Sequence, residues 1–177
     1  MSEDQQLLQK LCNGDRDALR RIYEKYRDGL LTIAIHLLRD TSAAEDCLQD
    51  VFVALAGGAG RVRIRSSLKG YLAASIANRA RDKLRRKSRQ DVTLLAVPEP
   101  HGNCPEPFVH LAESEENKSL WNALAELPYE QREVITLHLH GRMTFKEIAA
   151  YCDVSINTVQ SRYRYGIDKL RMILKGN

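Results

Sequence analysis

Between Thr144 and Arg171 the sequence TFKEIAAYCDVSINTVQSRYRYGIDKLR reads as two helices joined by a tight turn. Thr144 followed by Glu147 forms a capping box, which predicts a helix from Phe145. Phe145, Ile148 and Ala149 recur at helical spacing and give that helix one buried face. The pattern breaks at Cys152-Asp153-Val154, and Asp tolerates the left-handed backbone that a sharp interhelical turn needs. Ser155 can cap the second helix, whose inward stripe is Val159, Tyr163, Ile167 and Leu170. Its outward side is polar and basic, as a helix reading the DNA major groove requires.

The rest of the chain is expected to be all-α as well. Leu7, Leu8 and Leu11 predict a short first helix, stopped by Asn13-Gly14. From about Asp15, a stripe of Leu19, Ile22, Tyr23, Tyr26, Leu30, Ile33, Ala34 and Leu37 predicts a longer one, ending at Arg39-Asp40. Ser42 with Glu45 reads as a capping box for a third helix with Ala44, Cys47, Leu48, Val51, Phe52 and Leu55 inward. Gly57-Gly58 should terminate it. A fourth helix is predicted from Ser66 or Ser67, with Leu68, Leu72, Ile76, Ala80 and Leu84 in line and Tyr71 beside them. Between Gln90 and Pro107 four prolines and few apolar anchors predict an exposed linker. Helical pattern returns by Leu120, Trp121 and Leu124. Leu127-Pro128 opens a further helix that Gly141 ends. The expected organisation is two small helical domains, 1–90 and 118–177, joined by a flexible linker over 91–117.

Charge is distributed unevenly along this framework. Arg61, Arg63, Arg65, Lys69, Arg79, Arg81, Lys83, Arg85, Arg86, Lys87 and Arg89 are opposed only by Asp82, a local charge of +10 in a chain whose formal total is +4. The segment from Asp91 to Ser119 carries −5. A basic block followed by an acidic connector suits a polyanion-binding face with a separate linker. No nucleophile motif, phosphate loop or dinucleotide fingerprint occurs, so neither an enzyme nor a cofactor is expected. His101, Cys104 and His110 lack a nearby fourth ligand, and His138 and His140 point to different faces of one helix, so no metal is expected. These two histidines are expected to favour the helix C-terminus. Four scattered cysteines, a polar N-terminus and no apolar run near 18 residues fit a reduced, cytoplasmic protein.

The residues that narrow the function lie at Ala44-Glu45-Asp46-Cys47-Leu48-Gln49-Asp50-Val51-Phe52. This stretch resembles the A-E-D-L-V-Q-E-V-F signature of the extracytoplasmic-function sigma factors, bacterial RNA polymerase specificity subunits of the sigma-70 family. Gly14-Asp15, Leu19, Tyr23 and Tyr26 resemble the family's first conserved region. Tyr71-Leu72 stands where it has Trp-Leu, and Asn78, Asp82 and Leu84-Arg85-Arg86 match its N-x-x-x-D-x-L-R-R. Leu127-Pro128, Gln131-Arg132-Glu133-Val134, Glu147-Ile148-Ala149 and Thr158-Val159-Gln160-Ser161-Arg162 follow in order. The resemblance spans about Asp15 to Leu174, with the linker unmatched.

That resemblance implies an alternative sigma factor that binds core RNA polymerase and recognises −10 and −35 promoter elements. It implies that Glu45, Asp46, Gln49, Asp50 and Phe52 dock on the polymerase beta-prime clamp. Arg65, Lys69, Asn78, Arg79, Arg81, Lys83, Arg85 and Arg86 would engage the −10 element, the cations on phosphates and Asn78 on an unstacked base. Thr158, Gln160, Ser161, Arg162, Arg164 and Tyr165 would engage the −35 element. Further implied partners are the polymerase beta flap and an anti-sigma factor. Two departures bear on detail: Tyr165-Gly166 stands where the family often has Arg-Ala, and Asp153 where it usually has Gly. Gly166 within a helix costs about 1 kcal/mol against Ala. An autonomous helix-turn-helix regulator, binding its operator as a dimer, is the other class compatible with these features.

Overall fold

The computed structural model describes residues 2–58, 67–94 and 115–175. Among these residues there are eight helices and no strand: α1 (Glu3–Cys12), α2 (Arg16–Leu38), α3 (Thr41–Gly58), α4 (Leu68–Leu94), α5 (Glu115–Ala125), α6 (Tyr129–Leu139), α7 (Phe145–Cys152) and α8 (Ile156–Lys175). The all-α expectation holds, with α1–α4 forming one helical unit and α5–α8 a second that ends in the helix-turn-helix. The linker, Arg65, His101, Cys104 and His110 lie outside the described residues, apart from the linker's ends within α4 and α5.

The helix boundaries follow from local chemistry. Asp15 caps α2 by accepting from the backbone N–H of Asp17 and Ala18, and Gly14 supplies the left-handed turn before it at φ 86°. Arg39 closes α2 in the left-handed region at φ 58°, its N–H donating to the Ile35 carbonyl. The start of α3 differs from expectation. Asp40, not Ser42, caps it, its carboxylate accepting from the Ala43 N–H at 2.9 Å, and Ser42 sits inside the helix. Asp40 is the stronger acceptor and stands two residues earlier, so it takes the orphan N–H first. Ser67 caps α4 through the Gly70 N–H at 3.0 Å.

In the first unit α2 is the central helix. Ile22, Leu30, Ile33 and Leu37 of α2 are fully buried against Cys47, Leu48, Val51 and Leu55 of α3 and Leu68, Leu72, Ile76 and Ala80 of α4. Helix α1 is held against α2 by Lys25, which donates to Glu3 and Asp4 at 2.7 and 2.8 Å, and by the Tyr26 hydroxyl, which donates to Asp4 at 2.6 Å.

The second unit has a small core of its own, Ala123, Leu124, Leu127, Ile135 and Leu170. Its remaining apolar residues, Val134, Leu137, Met143, Ile148, Ala149 and Val159, join the core of the first unit without a break. The two units are therefore packed together through α6, which lies against both α2 and α4. Gly141 lies close against α4: a Cβ there would stand 3.1 Å from the Ala73 Cβ of α4 and 2.5 Å from the Leu137 carbonyl oxygen.

Candidate nucleic-acid interface

The helix-turn-helix forms as its sequence dictates. Thr144 Oγ1 accepts from the Glu147 N–H at 3.2 Å, and Glu147 Oε2 accepts from the Thr144 N–H at 2.7 Å, completing the capping box. Asp153 ends α7 in the left-handed conformation, φ 54° and ψ 48°, the role that falls to Gly elsewhere. Ser155 Oγ then accepts from the Thr158 N–H at 3.1 Å and opens α8. Val159 and Leu170 are buried, with Tyr163 and Ile167 packed beside them.

Of the residues expected at the −35 element, Gln160, Arg164 and Tyr165 are exposed, and Thr158, Ser161 and Arg162 are half-buried. Thr158 exchanges a hydrogen bond with Ser155 at 2.9 Å. The Arg164 guanidinium lies 5.1 Å from the centroid of the Tyr165 ring, and Tyr165 is 57% exposed. The two side chains form one flat cationic and aromatic surface on the outer face of α8. Gly166 is buried beneath them, and a Cβ would come within 2.7 Å of Ile135 Cδ1 on α6. Its helix-propensity cost is therefore linked to close packing of α8 on α6.

The basic face of α4 is divided. Asn78, Arg85 and Arg86 are exposed. Lys69 is half-buried, and burial, followed by the Arg142 charge, lowers its pKa. Arg79 donates to Asp50 at 3.2 Å, and Lys83 donates to Asp46 at 3.3 Å and to the Ala43 carbonyl at 3.1 Å. These bonds tie α4 to the acidic face of α3, where Glu45, Asp46, Gln49 and Asp50 form an exposed strip of i, i+4 neighbours. Phe52 lies behind that strip, buried with its ring edge-on to Tyr23 at 4.9 Å.

Arg81 is placed differently. Its Nη2 donates to both oxygens of Glu133 on α6 at 2.8 Å, and the guanidinium stacks 5.2 Å from the Tyr151 ring centroid on α7. The Glu133 side chain is 2% exposed and that of Arg81 32%. Burial alone would lower the Arg81 pKa, but the hydrogen bond and charge of Glu133 outweigh it and hold it above its ordinary value. Arg81, Arg85, Arg89, Arg132 and Arg162 line one cleft of about 710 Å³ between α4 and the second unit. Arg162 thus faces the α4 cations across that cleft.

Other residues at the junction escaped the sequence reading. His36 of α2 is buried 3.7 Å from the Trp121 ring and 4.9 Å from the His140 ring, centroid to centroid. Burial, then the charges of His140 and Arg132, push its pKa down to about 3. His140 belongs to this junction, whereas His138 stacks on Phe145 and its Nδ1 pairs with the Met143 carbonyl at 2.8 Å. The two histidines therefore serve packing on opposite sides, not only the helix end. Arg132 and Arg39 both donate to the Ala125 carbonyl, at 3.2 and 3.3 Å, satisfying the end of α5 from each unit. Glu133 directly before the mostly apolar run Val134-Ile135-Thr136-Leu137 was the available signal, because a carboxylate there needs a buried partner. Among the described residues no group of three or more His, Cys, Asp or Glu could hold a metal ion, and no helix is long and apolar enough to cross a membrane.

Comparison with known proteins places this architecture. Residues 22–90 match Sigma-70 region 2, and residues 117–170 match Sigma-70, region 4. The ECF RNA polymerase sigma factor RpoE of Cereibacter sphaeroides is 32% identical over 137 residues, 73% of this chain and 71% of that protein. The RNA polymerase sigma factor CarQ of Myxococcus xanthus is 26% identical over 174 residues, 94% of this chain and 95% of its own. Among solved structures, the sigma factor RpoE in complex with the anti-sigma factor NepR from Bartonella quintana superposes with a TM-score of 0.70 at 24% identity, covering 88% of this chain and 96% of that one. CnrH in complex with the cytosolic domain of CnrY gives 0.70 at 21% identity, covering 99% of each. The chain belongs to the sigma-70 family, among the extracytoplasmic-function sigma factors, which are alternative sigma factors directing transcription initiation and not enzymes.

Proposed function

We propose that this sigma factor binds bacterial core RNA polymerase in the cytoplasm and reads a two-part promoter through two surfaces. The observation that carries the reading is the ordered pair of matched segments, Sigma-70 region 2 and then region 4, each with exposed basic side chains on one helix. Residues 1–90 act as the first domain, 91–117 as the linker and 118–177 as the second domain. Glu45, Asp46, Gln49 and Asp50 form a hydrogen-bonding strip for a basic partner helix on the beta-prime clamp, with Phe52 supporting it from behind. Arg85, Arg86 and Lys69 neutralise phosphates at the −10 element, together with Arg65, Arg79 and Lys83, and Asn78 contacts an unstacked base. On α8, Gln160, Ser161, Arg162, Arg164 and Tyr165 read the −35 element, with Thr158 at the helix start. The beta flap is the second polymerase contact, and an anti-sigma factor is the candidate regulator.

With the units packed together, Arg81 is committed to Glu133 and Arg162 faces α4. Engaging both elements therefore requires the units to part and this ion pair to break. The direct test is run-off transcription with purified core polymerase on promoter templates from the cognate genome. Promoter-specific transcripts that depend on the added protein, and that disappear on charge reversal at Arg85 and Arg86, are the expected result. Absence of any sigma-dependent transcript, with tight duplex binding in the absence of polymerase, would overturn the proposal.

A further inference from the structure

Helix α8 carries an arginine and a tyrosine in contact with each other on its outer face. The Arg164 guanidinium carbon lies 5.1 Å from the centroid of the Tyr165 ring, and Nη2 donates to the Tyr165 hydroxyl at 3.5 Å, a long bond that is readily given up. Neighbouring cations of the helix are held otherwise. Lys169 donates to the Glu126 carbonyl at 3.1 Å, and Arg171 pairs with Asp168 at 3.3 Å. Asp168 stands four residues beyond Arg164, within reach by helical spacing, yet it takes Arg171. A ring holds a guanidinium without neutralising its charge and leaves N–H donors for an acceptor outside, whereas a carboxylate would occupy them.

The residues around the pair fit this arrangement. Tyr165 stands where the family often has an arginine, and Arg164 stands one place earlier, about 100° round the helix. A Cβ on the next residue, Gly166, would stand 2.7 Å from Ile135 Cδ1 and 3.3 Å from Gln131 Cβ, so α8 is seated closely on α6 at this turn. The ring therefore projects from a well-supported stretch of backbone. Arg164 is exposed, and its long chain gives up rotamer freedom when it closes on a base. A stiff neighbouring ring that already holds the guanidinium reduces that loss. The base that matches an arginine's paired donors is guanine, through O6 and N7.

We propose that Tyr165 is a positioning residue for base recognition: its ring holds the Arg164 guanidinium with donors outward, ready for a guanine of the −35 element. The preference at one base pair then depends on both residues, although only Arg164 touches the base. This inference rests on the reading of α8 as the −35 reader.

The test is run-off transcription by core polymerase with this protein, on promoters carrying each base pair in turn at every −35 position. The parent should favour guanine at one position, a preference that Arg164→Ala lowers. Tyr165→Leu should lower the same preference about two- to fivefold, the size of an exposed cation–ring contact. Tyr165→Phe keeps the ring and should retain the preference. Arg164→Ala/Tyr165→Leu should lose no more of it than Arg164→Ala alone. Tyr165 is 57% exposed, so its variants should keep the helical circular dichroism of the parent. Loss of output that is equal on all −35 promoters, a changed preference at a different position, or Tyr165→Phe no better than Tyr165→Leu would overturn the proposal. A parent that gives no promoter-specific transcript would overturn the α8 reading as well, whereas a guanine preference unmoved by Tyr165→Leu would overturn this inference alone.

Discussion

The pairing of Arg81 with Glu133 gives an asymmetric prediction. Glu133 is almost fully buried, and besides Arg81 its carboxylate accepts from the Tyr129 hydroxyl at 3.2 Å. Removing Arg81 leaves a buried carboxylate with neutral donors only, the Tyr129 hydroxyl and, at 3.9 Å, the Cys152 thiol. Removing one partner of a buried pair costs about 3–5 kcal/mol. The Arg81 side chain is 32% exposed, so water can enter where it stood. That relief lowers the expected cost of Arg81→Met to about 2–4 kcal/mol, the Met retaining much of the apolar packing against Tyr151. Glu133→Gln keeps an acceptor for both Arg81 and Tyr129 and loses only the charge, for about 1–2 kcal/mol. The double variant Arg81→Met/Glu133→Leu removes both charges and should approach the parent protein. Urea denaturation of the parent, Arg81→Met, Glu133→Leu and the double variant, followed by circular dichroism, closes the cycle with a coupling of at least about 1.5 kcal/mol. Single effects that add within about 0.5 kcal/mol, or an Arg81 variant no less stable than Glu133→Gln, would refute the reasoning.

Four further outcomes follow from the same geometry. His36 has a folded pKa of about 3 against an ordinary 6.5, so the folded state binds fewer protons than the unfolded. Its stabilisation is complete above pH 6.5 and is lost as pH falls toward 3, amounting to about 2 kcal/mol by pH 5. His140, lowered by burial and then by Lys69, acts in the same direction, so His36→Phe should flatten but not abolish the acid dependence of a thermal-melt series. Gly141→Ala forces a Cβ against the Leu137 carbonyl and Ala73 and should destabilise by about 1–3 kcal/mol in urea titrations. Gly166→Ala gains helix propensity but meets Ile135 Cδ1, so alone it should be neutral or destabilising. On an Ile135→Val background it should stabilise by about 0.5–1 kcal/mol, and a gain in the parent itself would contradict the packing argument. Arg164→Ala should lose about 1–3 kcal/mol at one −35 position in promoter-variant binding assays, whereas Arg86→Ala should weaken all promoters evenly and reduce the salt slope by about one.

Local signals carried most of the fold. The capping box at Thr144, the left-handed Asp153 and the Leu72, Ile76 and Ala80 line each depend on residues within one turn of one another, and each formed where the pattern placed it. Where two local signals competed, position decided: Asp40 precedes Ser42 and took the cap of α3. The exposed strip Glu45, Asp46, Gln49 and Asp50 was legible for the same reason, because helical periodicity alone sets its face. The junction between the units was not legible, because periodicity says which face of a helix is apolar but not what covers it. Val134 and Leu137 satisfy the same pattern whether they pack within their own unit or against α2 and α4. His36 lies on the inward stripe of α2, where its meeting with Trp121 and His140 depends on contacts far apart in sequence.

Arg81 shows what this means for function. Its place in the basic run gives it a phosphate partner, whereas its place in the packed chain gives it Glu133, 52 residues away. In the packed chain the Arg81 Nη2 is held by both oxygens of Glu133, so the fork cannot close on a promoter phosphate with both of its Nη donors until that contact breaks. Glu133 in turn cannot lose Arg81 while still buried without a large penalty. In the proposed promoter-bound form the carboxylate must therefore reach water as the arginine leaves it. The parting of the units and the release of Arg81 are thus one step.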